Sequence, residues 1–294
     1  MKTIRTLKYF YILIVAVVAF TACNDDNELG EVKVPGSDYT LPQGGNNEAD
    51  AKIMSLYDTY GSYFLYVFSE KDFKWSLVEN NGTEYQFEPI EPERVNNLLD
   101  IIQITWLDLY DTSFLKKNMP KFVMLTGKLQ TLVEDWWSSS WVDVPARCID
   151  NQIAISDITK NVGEMTSDDK RSFKNYLQAV FLNYCITTGA VEVPQEFYTV
   201  SDYTADLYWE STEKAREYGF VYNPQTDEEW STVYWSLSQS LDISAYVASL
   251  AYRTESEWTE DLEYPLVRKK YELLVNAFTK AGVDIKKIGN KDFK

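Results

Sequence analysis

The second half of the chain repeats apolar residues at intervals of three and four, the spacing of one helix face. Four segments show this pattern, and we predict helices over residues 167–188, 211–218, 226–240 and 265–280. Gly189 follows the first segment, where a glycine typically ends a helix. Pro265 stands at the first position of the last segment, which suits a residue without a backbone N–H.

The first half mixes helical spacing with short aromatic and β-branched runs, which are typical of strands. Helices are predicted over residues 50–60, 92–110 and 114–119, and strands over residues 62–68, 121–126 and 148–155. Strands early in the chain and helices late in it predict an α+β fold. We expect a small N-terminal sheet followed by a mostly helical C-terminal half.

The first 22 residues have the pattern of a secretory signal. Lys2, Arg5 and Lys8 precede an apolar run over residues 9–20, which is shorter than the about 20 residues that a membrane span needs and fits a signal-peptide core. The run leads through Phe-Thr-Ala to Cys23, an ending that resembles a bacterial lipobox. We therefore expect cleavage before Cys23 and a lipid anchor on its thiol. An ordinary signal peptide with a chance cysteine is the alternative.

Residues 23–49 are rich in acids, glycine, proline and asparagine and predict a flexible tether. The acidic cluster over residues 24–28 resembles the surface-export signal of Bacteroidetes lipoproteins, although a solvated linker gives the same composition. We expect an outer-membrane lipoprotein exposed on the cell surface. Residues 50–294 are predicted to form a single domain.

Composition excludes several kinds of chemistry. The 294 residues include 45 Asp and Glu against 28 Lys and Arg, giving a net charge of −17, and no histidine. An acidic chain is a poor partner for nucleic acid. Without histidine there is no Ser-His-Asp triad and no imidazole ligand for zinc. Two cysteines outside the signal, Cys148 and Cys185, are expected as buried free thiols, with a disulfide between them as the alternative.

Several strings occur in a characteristic order: YDTSFLKK at 110–117, PQEF at 194–197, AREYGFV at 215–221, TDEEW at 226–230 and GVDI at 282–285. This ordered set resembles the zinc-binding metallopeptidases among Bacteroidetes lipoproteins, also described as substrate import-associated zinc metallohydrolase lipoproteins. The resemblance covers roughly residues 50–290. It implies a zincin-like domain and partners in an outer-membrane nutrient-import system.

The family's chemistry depends on an HExxH motif, in which two histidines bind zinc and the Glu is the general base. The resemblance places this motif near Phe181 and Cys185, with Leu182 at the Glu position, and a later acidic ligand near Thr232. Each implied ligand is thus replaced, and we expect no catalytic residue, no metal and no cofactor. The expected role is a non-catalytic binding or accessory protein for a glycan or peptide. The alternatives are a metal-dependent hydrolase with a rebuilt, histidine-free site and a purely structural subunit.

Two aromatic groups are candidate ligand contacts, since flat rings stack on sugars. The first comprises Trp136, Trp137 and Trp141 in a loop rich in serine, and the second comprises Tyr203 and Tyr208. The alternative for both groups is packing onto the core. The neighbouring acids over residues 202–206 are interpreted as a solvated face.

Overall fold

A mixed sheet in the first half and helices in the second confirm the α+β prediction. The computed structural model describes residues 39–74, 84–134, 137–208, 210–226 and 237–294. The predictions for Cys23, Trp136 and Thr232 lie outside these residues. Among the helices that are described, none is both long and apolar enough to cross a membrane.

The described residues form ten α-helices and six strands, with most of the long helices in the second half of the chain. The helices are α1 (Asn47–Tyr60), α2 (Glu70–Lys74), α3 (Pro92–Thr105), α4 (Thr112–Asn118), α5 (Ser167–Thr187), α6 (Phe197–Val200), α7 (Thr212–Glu217), α8 (Gln239–Tyr252), α9 (Pro265–Lys280) and α10 (Ile285–Gly289). The strands are β1 (Tyr63–Leu65), β2 (Tyr85–Pro89), β3 (Phe122–Glu134), β4 (Ser139–Asp143), β5 (Ala146–Ile149) and β6 (Gln152–Ser156).

β3 is the central strand and has two different sets of neighbours. Its first part pairs in parallel with β1 and β6, and β5 extends the sheet beyond β6. Its second part pairs antiparallel with β2 on one side and β4 on the other. The sheet therefore continues past the domain core as a three-stranded antiparallel arm.

Alternate residues of β3 face two apolar clusters, as the period of a strand requires. Val123 and Leu125 belong to the main core, which contains residues of α3, α5, α8 and α9. Met124 belongs to a smaller cluster with Phe73 on the opposite face of the sheet. Helices therefore cover one face of the sheet, and the smaller cluster covers part of the other face. Helix α5 lies against β5, which is the strand at the edge of the sheet.

Three predicted elements need correction. Residues 148–155 form a hairpin instead of one strand, because Asp150 adopts a left-handed φ of 49° between β5 and β6. The helix from Pro92 ends at Thr105, and only a short 3-10 turn follows it. β3 runs eight residues further than the predicted strand end at 126.

The predicted helix over residues 226–240 also needs revision at its end. Residues 227–236 lie outside the described part of the chain. Ser238 is extended and its hydroxyl accepts from the N–H of Leu241, so a new helix, α8, begins at Gln239. The sequence pattern missed α8 because apolar residues cover most of its surface rather than one stripe.

The folded domain reaches further towards the N-terminus than residue 50. Asn46 caps α1 through its side chain, and the backbone N–H groups of Gln43 and Gly44 donate to the carboxylate of Asp50. Tyr66 Oη also donates to this carboxylate, at 2.9 Å. Residues 43–49, assigned to the tether by composition, therefore belong to the packed domain.

Candidate functional site

Helix α5 carries the positions that the resemblance assigns to the zinc motif. It begins at a capping box, in which Thr166 and Asp169 each accept a hydrogen bond from the backbone N–H of the other. It ends before Gly189, whose φ of 75° is left-handed and suits a residue without a Cβ. Between these ends Phe181 and Cys185, four residues apart, lie on one face and are fully buried.

Aromatic rings fill the space in front of Phe181. Its ring centroid lies 4.9 Å from that of Trp106 and 5.3 Å from that of Tyr110, both in edge-to-face contact. Tyr110 Oη donates to Gln178 Oε1, and Gln178 Nε2 donates to the carbonyl of Thr105 at 2.7 Å. The face of α5 on which a metal would have to bind is therefore occupied by packed side chains.

Zinc does not fit the side chains at this place. Zinc is held by thiolate, imidazole or carboxylate groups, usually three or four of them. The chain has no histidine, and the part of it that the structure describes has no group of three or more His, Cys, Asp and Glu able to hold a metal ion. Burial, followed by the nearby Cys148, raises the pKa of the Cys185 thiol far above its ordinary value. Leu182 is apolar and buried.

A cleft of about 800 Å³ opens beside the C-terminal end of α5. Its walls are the end of α4, the turn between β5 and β6, and the last turn of α5. Its lining is mixed, with about as much apolar as polar surface: Lys117, Asp150, Asn151, Tyr184 and Thr187 are polar, and Met119 and Ala190 are apolar. Tyr184 belongs to the segment that the sequence resemblance assigns to the zinc motif, so the cleft adjoins that segment directly.

The cleft presents hydroxyl and amide groups that form hydrogen bonds. The Tyr184 hydroxyl donates to Asn151 Oδ1 at 3.3 Å, and the backbone N–H of Lys121 donates to the same atom at 2.6 Å. Burial raises the pKa of Tyr184 to about 12, so its hydroxyl stays protonated. Burial also raises the pKa of the Cys148 thiol well above its ordinary range, which makes it a poor nucleophile.

Trp137 and Trp141 lie on the hairpin of β3 and β4. Trp137 is 94% exposed and does not pack onto the core, whereas Trp141 is 38% exposed and is partly covered by the protein. In the register of the arm, Trp141 stands opposite Leu132. Both rings are accessible to a partner, whereas their role as ligand contacts stays a prediction.

Tyr203 packs against a different region, a small apolar cluster that includes Leu207 and Phe220, and Tyr208 follows Leu207 in the sequence. Tyr203 Oη donates to Asp242 Oδ2 at 2.6 Å, and its ring packs edge-on against Phe220. Burial, together with the charge of Asp242, raises the pKa of Tyr203 well above its ordinary range. The structure thus engages the Tyr203 hydroxyl inside the protein and does not join these tyrosines to the tryptophan hairpin.

A buried ion pair in the helical half was missed from the sequence. Lys270 Nζ donates to Asp242 Oδ2 at 2.6 Å and to the carbonyl of Gly219 at 3.1 Å. Burial raises the pKa of Asp242 and lowers the pKa of Lys270, and the attraction between the two opposes both shifts. Lys270 lies on the apolar face of α9 with Val267 and Leu274, and a charged residue within such a stripe was the available signal.

The fold resembles that of a metallopeptidase. The crystal structure of a putative zinc-binding metallo-peptidase from Bacteroides caccae superposes with a TM-score of 0.50 and 14% sequence identity, covering 82% of this chain and 90% of that one. No protein-family model and no curated protein sequence matches this chain. A similarity of this kind defines a metallopeptidase-like fold and leaves the activity to be argued from the residues.

Proposed function

We propose that this protein is a non-catalytic, surface-anchored binding lipoprotein with a metallopeptidase-like fold that has lost its zinc site. The observation that carries the proposal is the environment of Phe181. The sequence resemblance assigns this position to the first histidine of the zinc motif, and a fully buried ring packed against Trp106 and Tyr110 stands there.

Energetics favour such a replacement. Burying a phenylalanine side chain stabilises a fold by about 1.5–3 kcal/mol, whereas an unpartnered buried polar group costs about 1–3 kcal/mol. Once Phe181 and Leu182 pack in the core, zinc ligands cannot return there without opening it. The site has therefore changed from a metal site into part of the hydrophobic core.

The cleft beside Tyr184 is the proposed ligand-binding site. Its volume of about 800 Å³ lies within the usual range for ligand sites. Hydroxyl, amide and single charged groups of both signs line it, and they suit an oligomeric ligand rich in hydroxyl or amide groups, such as a glycan or peptide fragment. The N-terminal sequence pattern is the basis for the lipid anchor at Cys23 and the surface location. The sequence resemblance is the basis for a place beside an outer-membrane import system.

Metal content is the direct test of the proposal. The full-length protein is purified in detergent with zinc supplied, dialysed and assayed for zinc per chain, with the Bacteroides caccae protein as the control. A tightly bound structural or catalytic zinc gives a ratio near one. We expect the present protein to stay below about 0.1 and to cleave no peptide substrate, since the described part of the chain has no group of His, Cys, Asp and Glu that could hold zinc. A ratio near one, retained on dialysis, would overturn the proposal and favour the rebuilt-site hydrolase.

Binding in the cleft is tested separately. Oligosaccharides and short peptides are screened by calorimetry against the wild-type protein and the variant Asn151→Leu, which removes the amide held between Tyr184 and Lys121. A ligand that binds the wild type and loses affinity in this variant supports the cleft as the site. Ligands that bind both proteins equally would place binding elsewhere.

A further inference from the structure

Among the described residues, the hairpin of β3 and β4 leaves one strand edge without a neighbouring strand. β4 pairs with β3, and no strand in the described part of the chain pairs with its other side. All five residues of Ser139–Asp143 are exposed. The hairpin also carries exposed apolar side chains, Val133 on β3, Trp137 between the strands, and Trp141 and Val142 on β4.

The backbone N–H and C=O groups of successive β4 residues point alternately towards β3 and away from it. The N–H of Val144 donates to the carbonyl of Leu129 on β3, and in an antiparallel ladder every second residue does the same. The even-numbered residues of β4 therefore bond to β3. The N–H and C=O groups of Ser139, Trp141 and Asp143 consequently point towards the uncovered edge.

The other outer strand of the arm, β2, is protected against pairing with another chain, whereas β4 is not. Free edges in natural sheets are blocked by bulges, prolines or lysines, because an open edge pairs with other chains. β2, the other outer strand of the arm, has a register shift between Glu88 and Pro89 and ends in that proline. β4 has no proline, no lysine and an unbroken register.

The side chains of β4 define what kind of strand would fit. Trp141 and Asp143 share one face, and Val142 lies on the other. The Asp143 side chain is 70% exposed, although its Oδ1 contacts Gln130 and Lys128. A cation on an added strand would be attracted to both the carboxylate and the indole ring, and an apolar side chain would pack on Val142. The complementary strand thus alternates Lys or Arg with Val or Ile.

We propose that β4 is a docking edge that accepts an extended segment of a basic partner protein as an additional strand of the sheet. Strand addition satisfies the outward backbone groups and gives specificity through alternate side chains. A second copy of this chain fits less well, because it carries the same net charge of −17. A membrane fits less well too, since anionic headgroups repel an acidic surface. The proposal does not depend on the loss of zinc.

The test uses the full-length protein in detergent and a fluorescent peptide of about ten residues that alternates Lys and Val, a length that covers the strand. A peptide that alternates Glu and Val is the charge control. Ser139→Pro removes an outward N–H but no hydrogen bond to β3, and Ser139→Ala retains that N–H. Trp141→Thr removes the ring and retains the backbone.

We expect the Lys-Val peptide to bind and to slow hydrogen exchange at residues 139–143, and the Glu-Val peptide to bind more weakly. Ser139→Pro and Trp141→Thr should each weaken binding by about tenfold, the effect of losing one good contact, while Ser139→Ala should leave it unchanged. Circular dichroism checks that the variants fold. If Ser139→Pro does not fold, Trp141→Thr alone decides the outcome.

Four results would overturn the proposal. Three of them concern the peptides: both peptides bind equally, the Lys-Val peptide does not bind, or Ser139→Pro and Trp141→Thr both leave its affinity unchanged. The fourth result is that a second copy of this chain or a lipid surface occupies the edge. In the last case, self-association abolished by Ser139→Pro would identify a second copy as the occupant. Vesicle binding abolished by Trp137→Ser would identify a lipid surface.

Discussion

Lys270 and Asp242 form an ion pair that is sealed in the helical half of the protein, with side chains 0% and 2% exposed. Aromatic rings surround the Lys270 ammonium, with centroids 4.8–5.6 Å away, at Phe197, Tyr203, Phe220 and Tyr246. The pair links α9 to α8. Lys270 also donates to the carbonyl of Gly219, which lies in the loop after α7. Three separate segments thus meet at one charge pair.

Removing one partner of this pair should be far more damaging than removing both. Asp242→Asn leaves the Lys270 charge without compensation, and we expect a loss of about 3–5 kcal/mol in the free energy of unfolding. The double variant Asp242→Leu, Lys270→Met removes both charges and should cost much less. Urea denaturation of the single and double variants measures the difference. A single variant within about 1 kcal/mol of wild type would contradict the importance of the pair.

Helices with one apolar stripe and a clear boundary residue were predictable from the sequence. α9 runs from Pro265 to Lys280 as predicted, and α5 ends before Gly189. In both cases a local signal, a proline or a glycine, coincides with the change in periodicity. The α+β class followed from such local signals because they act within a few residues.

Features that depend on distant partners were not predictable. β3 continues to Glu134 because β2 and β4 supply its hydrogen bonds, and neither strand has a strong pattern of its own. The burial of Lys270 depends on Asp242, 28 residues away in sequence. The cleft depends on three elements that meet only in the folded chain. Local periodicity does not contain this information.

Phe181 should contribute strongly to stability, because its fully buried ring contacts Trp106 and Tyr110. Phe181→Ala should lower the free energy of unfolding by about 3–5 kcal/mol, the usual cost of a large cavity in a core. Phe181→Leu retains most of the apolar volume and should cost less. Thermal unfolding of both variants tests this order, and a neutral Phe181→Ala would show that the ring does not pack as described.

Cys185, a free thiol that is fully buried, should resist alkylation while the protein is folded, whereas Cys148, a free thiol that is only partly buried and lines the cleft, should react faster. Burial raises the pKa of each thiol, and only the thiolate reacts readily. At pH 8 we expect iodoacetamide to react at least about a hundredfold more slowly with Cys185 in the native protein than with Cys185 in urea. The variants Cys148→Ser and Cys185→Ser assign the reaction to one residue or the other. Rapid native labelling of Cys185 would contradict its burial.

Lys174 should make stability depend on pH in a definite direction. Its buried ammonium donates to the carbonyls of Ala251 and Ile288, at 2.8 and 3.0 Å, and burial lowers its pKa from 10.5 to about 7. Between these two values the unfolded chain binds more protons than the folded one. The free energy of unfolding therefore rises as pH increases from about 7 towards 10.5, and this contribution is lost as pH falls to about 7.

The expected change between pH 7 and pH 9.5 is on the order of 3 kcal/mol. Urea denaturation at the two pH values measures it, and Lys174→Met is the matched control because it retains the buried chain and removes the titrating group. Lys270 also has a lowered pKa and changes stability in the same direction, so only the difference between wild type and Lys174→Met isolates Lys174. Identical pH dependence in the two proteins would show that Lys174 keeps its ordinary pKa on folding.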